Sequence, residues 1–219
     1  MRNKFAEQQG VNFQPLMIDF ESRQVIIIGG GKVAAKRART LLQSGAVITV
    51  ISPALEVEIQ EMWRQNKVNW EKKPFQSGDL KGAFMAVVAT DDPSVNLSVL
   101  QSSSDVPLVN AATEAGEGNV QFPAFLTRGK LTIAVTTHGA SPMLTSRIKE
   151  ELENQFESDY ETYVDFLYEC RQLIKNSPLT KQEKSQFLHE LLDEAFMSEE
   201  KQQQTILWLK RLAEGGGEV

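Results

Sequence analysis

The stretch Val25–Ser52, VIIIGGGKVAAKRARTLLQSGAVITVIS, puts a β-branched run, three glycines, a helical pattern and a second apolar run into one short span. QVIIIGG closes its run on glycine, and KVAAKRARTLLQSG spaces Val33, Ala34, Ala38, Leu41 and Leu42 at helical intervals before Gly45, a C-terminal stop. AVITVIS then reads as a strand buried on both faces. Gly29, Gly31 and Ala34 fit the pattern GxGxxA. The first glycine makes the tight turn, the second lets backbone approach a pyrophosphate, and the third small residue lets helix pack on strand. With Gly30 in the same turn, main-chain N–H groups from Gly29 to Ala34 and the positive end of the helix would face the phosphates of a dinucleotide. A glycine-rich turn of an ordinary α/β domain is the plainer alternative, and the strand, helix and second strand at the expected spacing weigh against it.

Working outward, the alternation continues. EVEIQEMWRQNK reads as a helix, VNWEKKPF as a third strand, AFMAVVAT as a fourth, PSVNLSVLQSSSD as a helix and PLVNAA as a fifth strand. Continuously apolar strands separated by helices predict a parallel sheet covered on both faces, a Rossmann-type domain over residues 1–113. The pattern changes at TEAGEGN. VQFPAFLTRGKLTIAVTT gives two extended runs joined through Arg128, Gly129 and Lys130, a hairpin, and GASPMLTSRIKEELENQFE a helix with Ser141 as N-cap and Pro142 at its first position. These form a small α+β segment, 114–150. A helical domain, 151–219, comes next, broken at KNSPLTKQEK and ending in EGGGEV, a disordered tail.

The 219 residues carry a net charge of −6, so no nucleic-acid backbone is a natural partner, and an acidic ligand must be met by local cations. The one cysteine, Cys170, sits at helical spacing and reads as a small buried apolar residue. Neither a signal peptide nor a run long enough to span a bilayer is evident, which predicts a soluble protein of a reducing compartment, the cytoplasm. His138 and His189 stand far apart with no metal-ligand spacing, so no metal site is expected.

Two details bear on what the glycine turn holds. An NAD site commonly ends its second strand in an acidic residue for the ribose hydroxyls, yet this strand ends in Ser52 and Pro53. Serine can bond a hydroxyl and would not repel a 2'-phosphate, so this position leaves NAD and NADP both open. At the fourth strand's carboxyl end, the edge where such sheets bind ligands, Thr90 is placed to contact cofactor and Asp91 or Asp92 to face the reacting centre; alternatively Asp92 and Pro93 only start the next helix. Lys36, Arg37 and Arg39 read as a solvated helix face.

IIIGGGKVAAKRARTLLQSGAVITVISP, AVVATDD and VNAATEAGEGNVQFPAFLTRGKLTIAVTTHGASP, in that order, resemble the precorrin-2 dehydrogenase/sirohydrochlorin ferrochelatase family of sirohaem biosynthesis over roughly residues 16–153. The resemblance implies oxidation of precorrin-2 to sirohydrochlorin with NAD as hydride acceptor. It implies a homodimer in which the 114–150 segment serves dimerisation and substrate, and nucleotide contacts at Lys32 and Val33 and again at Pro53 and Ala54. No methyltransferase domain accompanies the match, so a stand-alone enzyme is expected. Many members carry an aspartate three residues after the asparagine of VN as general acid/base for both activities; here that position is Thr113, followed by Glu114.

A threonine hydroxyl cannot act as a base near neutral pH or offer a metal a carboxylate. Dehydrogenation is therefore expected to survive and iron insertion to be weak or absent. Glu114, Asp91 or His138 would take the proton. In TTHGASP, Thr137, Ser141 and the helix start would hold carboxylates of the carboxylate-rich substrate, with Arg128 among the nearest cations. A bifunctional enzyme that also inserts iron is one alternative, and a regulatory NAD(H)-sensing Rossmann protein is the alternative from another class.

Overall fold

The structure, a computed structural model, describes residues 13–112 and 117–213 and divides into two units after Phe122. The first is built on β1 (Gln24–Ile28), α1 (Lys32–Leu42), β2 (Val47–Ile51), α2 (Val57–Arg64), β3 (Asn69–Glu71), β4 (Met85–Val88), α3 (Pro93–Ser102) and β5 (Leu108–Ala111). The five strands are all parallel, in the order β3-β2-β1-β4-β5. Chain direction across the sheet reverses between β1 and β4, and a crevice opens at such a switch point outside the carboxyl ends of the strands. Ile28 pairs with both Ile51 and Val88, so β1, β2 and β4 end at one level and deliver their loops to one edge.

Alternation along each strand explains the continuous apolar runs. Val25 and Ile27 of β1 and Met85 and Val87 of β4 join one buried cluster with Ala34, Ala38 and Leu41 of α1, while Ile28, Ala86 and Val88 join another with Val99 of α3. Each of the Val, Leu, Ile and Met side chains among them contributes about 1.5–3 kcal/mol when fully buried. Three alanines on α1 let that helix lie close on the sheet, and Gly45 at φ +76° turns the chain back beyond it.

The first unit runs past the break expected at Thr113, because residues 118–122 fold back along β5. Val109 N–H donates to Asn119 Oδ1 at 2.7 Å, Asn119 Nδ2 donates to the Pro107 carbonyl at 2.9 Å, and Asn110 Nδ2 donates to the Val120 carbonyl at 2.8 Å. Thr113 and Glu114, like the EGGGEV tail, lie outside the described residues.

The second unit holds the hairpin β6 (Ala124–Arg128) and β7 (Leu131–Val135), then α4 (Pro142–Gln155), α5 (Asp159–Asn176), α6 (Lys181–Glu190) and α7 (Glu199–Ala213). Gly129 takes φ +54° in the tight hairpin turn, as the Arg-Gly-Lys sequence requires. Tyr163, Phe166, Cys170 and Ile174 of α5 form a core with Leu191 and Leu209, and the Tyr163 hydroxyl donates to the Leu191 carbonyl at 2.8 Å. Burial pushes the Cys170 thiol up to about 12, so it behaves as an apolar filler.

A boundary at 150/151 does not appear as a break. It falls inside α4, and the hairpin is tied to the chain beyond that helix: Arg128 Nε donates to the Phe156 carbonyl at 2.9 Å, and Lys130 pairs with Asp165 and lies over the Tyr168 ring. The hairpin and α4 are thinly covered. Leu126 is the buried residue of the two strands, α4 has none, and Met143 is 85% exposed.

Candidate active site

The glycine turn is fixed from two sides and open on a third. Gly29 N–H donates to the Ile51 carbonyl at 3.0 Å, and Glu56 N–H donates to the Gly30 carbonyl at 2.7 Å. A Cβ on Gly29, at φ +112°, would meet the Ala89 carbonyl oxygen at 2.2 Å, and one on Gly30 would meet that of Ala54 at 2.0 Å. These two glycines are demanded by the protein's own backbone. Gly31 is not: its φ is −89°, and among the described residues a Cβ there would meet nothing within 4 Å.

Gly31 is also the N-cap of α1 and supplies no side-chain cap to the first turn. Lys32, Val33 and Ala34 thus begin a helix whose first-turn N–H groups receive no side-chain cap from Gly31, at the switch point of the sheet. Val33 is 44% exposed beside them. A small cap residue without a steric reason inside the chain, at a bare helix start, fits a dinucleotide diphosphate. Pro53 and Ala54, the latter packed against Gly30, line the same loop.

Ser52 takes a different part from the one its position suggested. It is 8% exposed, its hydroxyl donates to the Ala54 carbonyl at 2.7 Å, and its own carbonyl accepts from Trp70 Nε1 at 3.0 Å. It shapes the loop instead of presenting a hydroxyl to ribose. Thr90, after β4, likewise organises its turn: Oγ1 accepts from Asp92 N–H at 2.9 Å, and its carbonyl accepts from Asn96 Nδ2 at 3.2 Å.

Asp92 is the N-cap of α3. It accepts from the Ser94 hydroxyl and from Ser94 and Val95 N–H, and these bonds, the hydroxyl's first, hold its carboxyl below the usual carboxylate range. Asp91 stands exposed in the same turn at the sheet's carboxyl edge.

At the β7–α4 junction His138 adopts φ +49°, uncommon for a residue other than glycine, and its N–H donates to Thr136 Oγ1 at 3.0 Å. The hydroxyls here are engaged within the loop. Thr137 Oγ1 accepts from Ser141 N–H at 3.1 Å and lies 3.0 Å from Thr145 Oγ1, and Ser141 Oγ accepts from Leu144 N–H at 3.2 Å. Arg128, expected to meet substrate, donates instead to the Phe156 and Thr127 carbonyls. Lys130 pairs with Asp165 and Arg147 with Glu151, so all three cations near this loop in sequence have protein partners.

Three residues escaped the reading of the sequence. Glu56 locks Gly30 by its main chain, which no side-chain pattern reveals. Asn110, 4% exposed, has a buried Oδ1 with no partner among the described residues. Arg37 is not on a solvated face: its guanidinium lies 4.4 Å from the Phe122 ring centroid, Nε is buried without a partner among the described residues, and burial holds its pKa below the ordinary arginine value. Its placement four residues after Val33, on the flank of the sheet-facing alanines, is the signal that could have found it.

The profile of a putative NAD(P)-binding family matches residues 16–124, that of the sirohaem biosynthesis protein central region residues 128–155, and that of the SirC C-terminal domain residues 160–206. The chain is 40% identical over 181 residues to the precorrin-2 dehydrogenase of Priestia megaterium, across 83% of this chain and 90% of that protein. The chain belongs to the precorrin-2 dehydrogenase family. Another member, the precorrin-2 dehydrogenase of Bacillus subtilis, is 38% identical over 157 residues, 72% of this chain and 97% of that one. A solved structure of SirC, precorrin-2 dehydrogenase, matches with a TM-score of 0.79 at 38% identity, covering 91% of this chain and all of that one. The Rossmann-type sheet with a helical C-terminal region is thus the fold of this precorrin-2 dehydrogenase family.

Proposed function

We infer that the protein catalyses the NAD-dependent oxidation of precorrin-2 to sirohydrochlorin in sirohaem biosynthesis. The observation that carries this reading is the bare first turn of α1 behind Gly31, at the switch point of the sheet, in a chain of this family. With the Gly29 N–H already given to the Ile51 carbonyl, the main-chain N–H groups from Gly30 to Ala34 are the ones that would hold the diphosphate, Pro53 and Ala54 border the loop, and Thr90 sets the turn at the adjoining strand end. Bound there, NAD supplies the hydride acceptor. The protein holds the macrocycle and takes up one proton. Asp91, a carboxylate at the carboxyl edge that caps no helix among the described residues, is our choice for that proton. Glu114 and His138 are the other groups of suitable chemistry.

Asp91→Asn is expected to lower kcat at least tenfold with NAD affinity unchanged, whereas His138→Gln leaves kcat within a few fold; the reverse result moves the role to His138. The test of the whole reading is NADH formation from precorrin-2 by the purified full chain. NAD binding without turnover leaves a sensor of NAD(H). Thr113 in place of a carboxylate argues for weak or absent iron insertion. Sirohydrochlorin with ferrous ion should be metallated no faster than without enzyme.

We further propose a homodimer. A two-stranded hairpin is marginal alone, α4 buries no residue, and Met143 and Leu144 present apolar surface that a second copy would cover. Met143→Glu should shift sedimentation toward the monomer; an unchanged dimer places the interface elsewhere. A buried, free Cys170 and the absence of any described helix able to cross a membrane fit a cytoplasmic protein, and the net charge of −6 gives no reason to expect nucleic acid.

A further inference from the structure

The geometry points to Arg37 as a substrate-positioning residue that receives a carboxylate of the macrocycle, an inference that rests on the dehydrogenase reading above. Helix α1 has two flanks around its buried alanines. On one, Arg39 pairs with Glu58 of α2. On the other lie Val33 and Arg37, one turn apart, with Arg37 over the ring of Phe122, which packs, as Val120 and Ala112 do, against the buried cluster that holds the alanines of α1.

Arg37 starts about 9 Å along the helix from Gly31, and helical side chains lean back toward the N-terminus, so its head group is carried toward the dinucleotide turn. The Phe122 ring beneath it is a fixed platform. Asn119 N–H and Val120 N–H both donate to the Val109 carbonyl, and the side-chain bonds of Asn110 and Asn119 clamp the same segment to β5.

A guanidinium stacked on a ring holds its N–H groups in one plane, and with Nε buried the Nη pair is the edge that would take a carboxylate through two parallel bonds. Among the described residues Arg37 has no acidic partner, and Nε is buried without an acceptor. The cations near the β7–α4 junction are already engaged. An unpaired, half-buried cation held rigidly is costly unless its partner arrives with the ligand.

The experiment compares wild type with Arg37→Met, which keeps the apolar stem over Phe122, and with Arg37→Lys. Steady-state NADH formation is followed with precorrin-2 varied, NAD affinity by calorimetry, and sirohydrochlorin affinity by absorbance titration without NAD. Arg37→Met should raise the precorrin-2 KM and the sirohydrochlorin Kd about tenfold or more, with kcat and NAD affinity within about twofold. Arg37→Lys should recover part of both. Unchanged KM and Kd in Arg37→Met overturn the assignment, as does parallel loss of NAD affinity and thermal stability, which marks a packing role. Wild type that forms no NADH defeats the dehydrogenase reading itself, a result distinct from turnover that is indifferent to Arg37.

Discussion

The protein has two strand-to-helix junctions that look alike in sequence, each a short apolar strand, a glycine-containing turn and a helix, and they are finished in opposite ways. Between β1 and α1 the first turn is left without a side-chain cap, and Gly31 leaves space in front of it. Between β7 and α4 the turn closes on itself: Ser141 caps Leu144, Thr137 holds Ser141, and Pro142 removes one N–H that would otherwise need a partner. Anion binding at a helix start depends on donors left over after the protein has satisfied its own. The difference supports our proposal of a diphosphate at α1 and makes Thr137 and Ser141 builders of their own loop.

The largest effect expected within this comparison is that of Gly29→Ala. The strain of a side chain at φ +112° and the collision with the Ala89 carbonyl should together destabilise the first unit by about 3 kcal/mol or more, read by denaturant unfolding. A variant of wild-type stability would show that the turn is soft. Gly31→Val separates ligand binding from folding. With φ −89° and no neighbour to strike, it should keep the melting temperature within about 2 °C while NAD affinity falls at least tenfold in calorimetry. Retained affinity would mean that the open space is not the diphosphate site.

On the other junction, Ser141→Ala should cost about 1 kcal/mol of stability in the second unit and leave NAD affinity alone. A loss of NAD binding there would break the assignment of the two ends. The smallest effect concerns Cys170. Its thiol, raised from 9.0 to about 12 by burial, should resist alkylation of the native protein at pH 8. Because the folded value lies above the unfolded one, the neutral thiol's contribution is fully present below about pH 9 and declines as pH rises toward 12. Rapid native alkylation would show that the α5 core opens readily.

Much of this was legible in the chain. β1, α1 and β2 came from one span because their signals are local: β-branched runs, helical spacing, and glycines whose demands arise within a few residues. The Ser141 cap, Pro142 and the Arg-Gly-Lys turn are equally local. The fate of Ser52 was not legible, since its hydroxyl competes between ribose and the Ala54 carbonyl and only the loop's path decides. Arg128 looked like a free cation until the end of α4 came within its reach. Asp92 stood between two roles, and its hydrogen bonds to the start of α3 chose one.

By itself the sequence determined the parallel α/β architecture, the dinucleotide turn and the resemblance to sirohaem biosynthesis, because backbone preference and apolar periodicity act over short stretches. Only the tertiary structure decided which polar groups stay unpaired. Arg37 over Phe122, the buried Oδ1 of Asn110 and the open front of Gly31 depend on segments far apart in the chain, and whether a donor or charge already has a partner is a property of three-dimensional neighbours.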